Sequence, residues 1–119
     1  MSNPSKIRGT RWESDVVSYL RSNGFDQAER RALAGQADLG DIVNAGPYVW
    51  ECKSTQRIEL AKGMDETKEE TKNANVRFGF LINKRRNKSV GEAYATMTLA
   101  QLCEMLTEIT NNDQPTSPT

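Results

Sequence analysis

The stretch DLGDIVNAGPYVWECKST, residues 38–55, decides how the middle of this chain folds. Residues 39–43 and 48–53 are two runs rich in β-branched and aromatic side chains, and the NAGP between them is a turn signature. This pattern predicts an antiparallel β-hairpin. One arm nevertheless carries Asp41, and the other arm carries Glu51. Carboxylates are costly to bury without a partner, so acids in apolar strands call for a chemical explanation.

The relative placement of the two acids depends on the register of the hairpin. Side chains two apart on a strand point to the same side, so Glu51 and Lys53 share one face while Trp50 and Cys52 face the core. A loop of odd length puts Asp41 opposite Glu51, whereas a two-residue loop puts it opposite Trp50. In the expected odd register, the Asp41 and Glu51 carboxylates project from neighbouring strands about 5 Å apart.

Two carboxylates this close repel each other unless a positive charge lies between them. A hard divalent cation such as Mg²⁺ is the natural neutraliser, because it binds carboxylate, main-chain carbonyl and water oxygens. Lys53 beside such a site can hold or deprotonate an attacking nucleophile, or stabilise negative charge that develops on a phosphate. The combination suits phosphodiester hydrolysis. Asp38 competes with Asp41 for the metal, but three positions away on a regular strand it faces the opposite side, so Asp41 is preferred.

The composition limits the remaining possibilities. The 119 residues are enough for one small domain, and 16 basic side chains balance 16 acidic ones, so nucleic-acid binding would depend on local clusters of charge. Histidine is absent, which excludes histidine-based nucleases, Ser-His-Asp catalysis and the common mixed-ligand zinc sites. No signal peptide or membrane-length apolar run is recognisable, and the two cysteines fit reduced thiols, so we expect a cytoplasmic protein without membrane contact.

Hydrophobic periodicity along the chain predicts an α/β fold with the order αβββαβ, followed by a further strand and helix. The charged residues at 65–72 are interpreted as the solvated face of the second helix. The predicted elements are a helix that begins near Thr10 and stops at Asn23-Gly24, strands at 25–35, 39–43 and 48–53, a helix at 56–75, strands at 76–83 and 94–98, and a last helix that follows Thr98.

The polar ends of the chain are expected to be disordered tails, residues 1–8 and 111–119, around a single domain at 9–110. Thr98 is the predicted cap of the last helix, with Gln101 three residues on. That helix is expected to turn its apolar stripe toward the core; the stripe consists of Leu99, Leu102, Cys103, Leu106 and Ile109.

The arrangement of acids and lysine resembles the PD-(D/E)XK nuclease superfamily, and most closely its Holliday junction resolvase branch. The resemblance is carried by Glu13 on the opening helix, by GDI with Asp41, and by ECK with Glu51 and Lys53. It extends over about residues 9–83, with glycine in place of the usual proline before the aspartate. The resemblance implies a restriction-endonuclease-like αβββαβ core, with a mixed central sheet flanked by helices.

The resemblance also implies a function: a metal-dependent DNA endonuclease, in particular a Holliday junction resolvase that uses Mg²⁺, for which Mn²⁺ is expected to substitute. Asp41 and Glu51 would bind the metal with the backbone carbonyl of Cys52, Glu13 would complete the acidic shell, and Lys53 would be the catalytic lysine. A homodimer is implied because a four-way junction presents two symmetry-related strands. The size of the chain and the resemblance suggest a bacterial or phage recombination protein, which would act in the cytoplasm of the cell or host.

Several alternatives stay open at this point. Thr10 and Glu13 have the spacing of a capping box, so Glu13 could serve only as a helix cap. The protein could be a non-catalytic nucleic-acid-binding module on a nuclease fold, or a nuclease for other DNA or RNA structures. Clustered cations are candidates for contacts with DNA phosphates, although they could equally be solvated surface charges. These cations are Arg8, Arg11, Arg30, Arg31, Lys84, Arg85, Arg86 and Lys88.

Overall fold

The computed structural model describes residues 3–32 and 38–113. The protein is an α/β protein with three α-helices, and the predicted order of helices and strands is confirmed. The elements are α1 (Pro4–Ser22), β1 (Glu29–Arg30), β2 (Ile42–Val43), β3 (Tyr48–Lys53), α2 (Leu60–Asn73), β4 (Phe78–Asn83), a 3₁₀ turn (Val90–Glu92), β5 (Tyr94–Thr96) and α3 (Leu99–Asp113).

The main sheet is mixed and has the strand order β3-β4-β5. β3 runs parallel to β4, with Glu51 beside Leu81 and Lys53 beside Asn83, and β5 pairs antiparallel with the end of β4. All six residues of β4 are buried, as expected from its nearly continuous apolar run. β4 is therefore the strand against which the other elements pack.

Helices α1 and α2 cover opposite faces of this sheet. The core on the α1 side contains Trp12, Cys52, Phe80 and Ile82, and the indole of Trp12 donates a hydrogen bond of 3.1 Å to the Ile82 carbonyl. On the other face α2 lies very close to β4, because a Cβ atom on Gly63 would meet the side chain of Leu81 at 2.7 Å. The strand alternation predicted for Glu51 and Lys53 thus directs both side chains toward α2.

The predicted hairpin is wrong in its pairing. β2 pairs with β1 in a separate two-stranded antiparallel sheet, and its link to β3 is a hydrogen bond of 2.8 Å from the Asp41 amide to the Trp50 carbonyl. The physical reason is that the Asp41 carboxylate, rather than a backbone carbonyl, accepts the next amide of β3, from Cys52 at 2.7 Å. The Asp41 side chain therefore takes the place of the backbone hydrogen bond that would have continued the pairing of the two strands.

The predicted ends of the helices also need correction. α1 begins at Pro4 rather than near Thr10, because Asn3 caps it through a hydrogen bond of 2.9 Å from the Ser5 amide and proline suits the first helical turn. Residues 4–8 are therefore helical, as are residues 111–113 at the end of α3. Residues 1–2 and 114–119 of the predicted tails, and residues 33–37 of the predicted first strand, lie outside the described part of the chain.

The predicted orientation of α3 is wrong. Its cap is confirmed, because the Gln101 amide donates to the Thr98 hydroxyl at 3.2 Å, but the apolar stripe of the helix is exposed. The inward side is held by polar contacts instead: the Gln101 side chain bonds to both the amide and the carbonyl of Gly79, at 3.1 and 3.0 Å. None of the helices within residues 3–32 and 38–113 has the length and apolarity needed to cross a bilayer.

Gly79→Ala tests the tight contact between α2 and β4. A Cβ atom at Gly79 would collide with the hydroxyl of Thr71 and lie 3.2 Å from Thr67, so we expect a loss of about 1–3 kcal/mol in the free energy of unfolding. Urea denaturation measures it. Gly9→Ala in α1, where nothing lies within 4 Å, should cost nothing. Thr71→Ala should recover part of the loss in the double variant, and purely additive effects would contradict this account.

Candidate metal site and basic pocket

Three carboxylates meet between β3 and α2. Glu51 comes from β3, Glu70 from α2 and Asp38 from the segment before β2, and one carboxylate oxygen of each lies within 4.8 Å of the other two. Glu51 and Glu70 are buried, whereas Asp38 is exposed at the mouth of the cluster. An oxygen-only group of this kind is the donor set that hard divalent cations prefer, so these residues could bind a metal ion.

Glu70 is the residue that sequence reasoning missed. Its side chain is 2 % exposed, and neither carboxylate oxygen has a hydrogen-bond partner among the described residues. Gly63, Thr67 and Glu70 follow one another at i, i+4 and i+7, so they form the inward stripe of α2. The interpretation of residues 65–72 as a solvated face is therefore wrong for Glu70, because the spacing that turns Glu70 inward was hidden in a run of charges. A buried carboxylate without a donor is unfavourable unless a cation or a proton satisfies it.

Asp41 lies beside Glu51, as the sequence predicted, although by a different route. The neighbouring carboxyl of Glu51 helps to raise the pKa of Asp41, and the position of the Asp41 carboxylate is fixed by the Cys52 amide. Arg31 braces the same loop, donating from its main-chain amide to the Asp41 carbonyl at 2.8 Å and from its side chain to the Gly40 carbonyl at 3.0 Å. Arg31 therefore has a structural role in the position of Asp41.

Gly40 explains the departure from the usual proline before the aspartate. Its φ is +95°, whereas proline is held near −65°, so proline does not fit here. A Cβ atom would also come within 3.0 Å of Val49 and 3.2 Å of the Trp50 carbonyl. Glycine thus lets the loop approach β3 closely enough for Asp41 to reach the Cys52 amide.

The crowding of acids shifts their protonation. Burial, reinforced by the neighbouring carboxyl of Glu51, raises the pKa of Asp41 to about 8. Burial and the nearby Glu70 raise the pKa of Glu51 to about 8, and burial and Asp38 raise the pKa of Glu70 to about 7. The site therefore favours bound protons or a bound cation over free negative charge at neutral pH.

Lys53 remains an ammonium ion at the edge of this cluster. Its Nζ lies 2.8 Å from a carboxylate oxygen of Glu66 on α2. Burial lowers the pKa of Lys53, but the carboxylates of Glu66, Glu51 and Asp41 outweigh burial and the net pKa is raised. Of the roles predicted for this lysine, the raised pKa favours stabilisation of developing negative charge over proton abstraction.

Glu13 borders the cluster without joining the three-acid group. It forms an ion pair of 3.1 Å with Arg30, and burial, followed by the charge of Asp41, raises its pKa. The capping-box alternative is wrong because Thr10 lies inside α1 rather than at its start. A metal contact through Glu13, or through the Cys52 carbonyl, stays a prediction.

A second feature, the basic pocket, opens at the carboxyl ends of β3 and β4. This cavity of about 450 Å³ is lined by Arg8, Lys84, Arg85 and Arg86, together with Ser54, Thr55, Gln56, Ile58 and Tyr94. Ser54 follows Lys53 directly, so the pocket begins three residues beyond Glu51 along the chain. The Lys84 amide also donates to the Lys53 carbonyl at 3.0 Å, which joins the pocket to the strand that carries the acids.

Four of the eight cations predicted to contact nucleic acid thus line one cavity. Arg8 belongs to it because α1 extends back to Pro4, and the Arg85 guanidinium lies 4.8 Å from the ring centroid of Tyr94. The other four predicted cations do not line it. Arg30 and Arg31 are engaged beside the acids, while Arg11 and Lys88 are exposed elsewhere; their contact with nucleic acid stays a prediction.

Comparison with known proteins adds no relative: no family model matches the chain, and neither a curated protein nor a solved structure matches it. The case for a function therefore depends on the residues of the site and on their geometry.

Glu70→Gln tests the electrostatic cost of the cluster. The pKa of Glu70 in the folded protein, about 7, is raised above the ordinary value of 4.5. The contribution of this group to the free energy of unfolding is therefore fully present below pH 4.5 and is lost as the pH rises through 7. In EDTA the variant should gain stability over the parent as pH rises, by more than about 1 kcal/mol at pH 8.5 and almost nothing at pH 4. Thermal unfolding measured across this pH range gives the difference.

Glu69→Gln is the matched control, because Glu69 is the exposed neighbour on the same helix. It should follow the parent at every pH. Added Mn²⁺ should stabilise the parent and thereby remove the advantage of Glu70→Gln at high pH. Identical pH profiles for the parent and Glu70→Gln would mean that this carboxylate carries no unfavourable charge.

Proposed function

We propose that this protein is a metal-dependent DNA endonuclease that hydrolyses phosphodiester bonds, with branched DNA such as a Holliday junction as its substrate. The observation that carries the proposal is the unpartnered, 2 % exposed carboxylate of Glu70 packed against Glu51. A carboxylate buried in this way is satisfied by a proton or a cation, and the site lies beside Lys53 and a pocket lined by four basic residues. A group of acids that can bind a cation, next to a basic pocket that can bind a phosphate, favours phosphodiester chemistry.

The order of elements supports a restriction-endonuclease-like core. α1, three strands, α2 and β4 follow one another as αβββαβ, and the helices cover both faces of a mixed sheet. Asp41, Glu51 and Lys53 stand at the positions that the PD-(D/E)XK resemblance assigns to its functional residues. On this proposal the short β1 and β2, which pair with each other in a separate sheet, would be a local variation on that core.

The residues fit Mg²⁺, and Mn²⁺ is the expected substitute, because all available donors are carboxylate oxygens. Asp41 and Glu51 would hold the ion, and Asp38 and Glu70 extend the acidic shell on the α2 side. When bound, the metal supplies Lewis-acid polarisation of a phosphate and lowers the pKa of coordinated water. Lys53 stabilises negative charge on the scissile phosphate, and Glu66 keeps the ammonium in position.

The basic pocket would hold the DNA backbone next to the scissile bond. Tyr94 lies in this pocket with Arg85 against its ring, so the pocket offers both charge and an aromatic surface. We expect contacts here to position the substrate and to carry little sequence information.

Removal of the acid or the lysine tests the chemistry. Glu51→Gln and Lys53→Ala should each lower the rate of cleavage at least about 100-fold in Mg²⁺ while the circular dichroism spectrum is unchanged. Glu69→Gln and Lys68→Ala, two exposed sites on α2, are matched controls that should cut like the parent. The assay compares a synthetic four-way junction with linear duplex, single-stranded DNA and RNA. Cleavage of the junction by both variants at the parental rate would refute the mechanism.

The basic pocket is tested by binding without cleavage. Fluorescence anisotropy with a labelled junction in EDTA should show weaker binding for Lys84→Ala/Arg86→Ala, and the slope of log affinity against log salt should fall by about 1.8. Lys68→Ala should leave the slope unchanged. Binding that depends on the pocket, without metal binding or cleavage by the parent, would instead indicate a non-catalytic nucleic-acid-binding module.

A further inference from the structure

The exposed side of α3 has the composition of an interior surface. Leu99 is 75 % exposed, Leu102 37 %, Leu106 51 % and Ile109 52 %. These four positions are separated by three, four and three residues, the spacing of the apolar seam of paired helices. Single exposed aliphatic side chains are normal on a protein surface, but a continuous stripe along three turns marks a contact site.

The helix is unable to roll and bury this stripe against its own chain. Gln101 on the inward side bonds to both main-chain groups of Gly79, and Arg77 forms ion pairs with Glu104 and Glu108. Met105 packs against the core from the same side. Rotation would break these contacts, so the outward orientation of the stripe is built into the fold.

The charge pattern selects the kind of partner. Within residues 99–112 the charged side chains are Glu104 and Glu108, and both pair with Arg77 of the same chain. The residues beside the stripe, Cys103 and Thr107, are uncharged. A second copy of this face would therefore meet it without repulsion between like charges, and a self-complementary patch generates a closed twofold dimer.

We propose that α3 is the homodimer interface of this protein, with the stripe of Leu99, Leu102, Leu106 and Ile109 packed against the same stripe of a second copy. Cys103 lies near the middle of the stripe. A twofold axis that passes between the two helices at that level therefore brings Cys103 close to the Cys103 of the second copy. The resemblance implies a homodimer without locating its interface, and the exposed stripe of α3 supplies that location from observations that involve neither DNA nor metal.

The oligomeric state of the full chain tests this interface. Sedimentation equilibrium over a concentration series, under reducing conditions and without DNA, should give a dimer for the parent. Leu106→Glu should weaken association at least tenfold, because it would bury a charge at the centre of the seam. Leu60→Glu on α2 is the matched control: Leu60 is 47 % exposed, and its replacement should leave the dimer intact. A monomeric parent, or an unweakened Leu106→Glu dimer, overturns the proposal.

Two further measurements guard against an unfolded variant. Leu99→Glu changes the most exposed position of the stripe and should also weaken the dimer while its circular dichroism spectrum stays parental. Oxidation with diamide should link the parent covalently through Cys103, and Cys103→Ser should abolish the link. A stable dimer that does not crosslink would place the interface elsewhere. Because these assays use neither DNA nor metal, their failure leaves the nuclease proposal standing, and a dimer that cuts no DNA refutes only the latter.

Discussion

The enforced proximity of the Glu51 and Glu70 carboxylates is the constraint on which the rest of this structure depends. Two unit charges about 4 Å apart repel by about 4 kcal/mol at an effective dielectric constant of about 20, when both are ionised. α2 is unable to relieve this repulsion by moving away, because Gly63 packs against Leu81 and Thr71 against Gly79. Close packing of helix on strand, itself favourable, therefore forces the acids together, and the fold is complete only when a proton or a cation neutralises them.

The opposite wall of the site arises from an interrupted strand. Had β2 continued its pairing with β3, the Cys52 amide would have met a backbone carbonyl and Asp41 would have been one more strand residue. The Asp41 side chain accepts that hydrogen bond instead, and the left-handed conformation of Gly40 with the support of Arg31 holds it there. The same contact that ends the ladder thus brings a carboxylate to Glu51, so fold and site have a common origin.

The sequence predicted the structure correctly where its apolar pattern fits only one kind of element. Residues 48–53 form a strand whose alternation separates Glu51 from Cys52, and the apolar run through residues 78–83 becomes the buried central strand. It failed for Glu70, because a helix with charges on half of its positions does not reveal which charge faces inward. The start of α1 was missed because Asn3 and Pro4 begin a helix through capping rather than through apolar spacing.

The error for α3 has a different cause and a broader meaning. An apolar stripe predicts burial but does not say against what, and here the contacts of Gln101 and Arg77 hold the stripe away from the core. The packing of the chain holds the acids under α2 away from any hydrogen-bond donor, and it holds the apolar stripe of α3 in water. Gly79 on β4 takes part in both, since it receives Thr71 on one side and Gln101 on the other. The central strand thus fixes two incomplete surfaces, one suited to a cation and the other to an apolar partner.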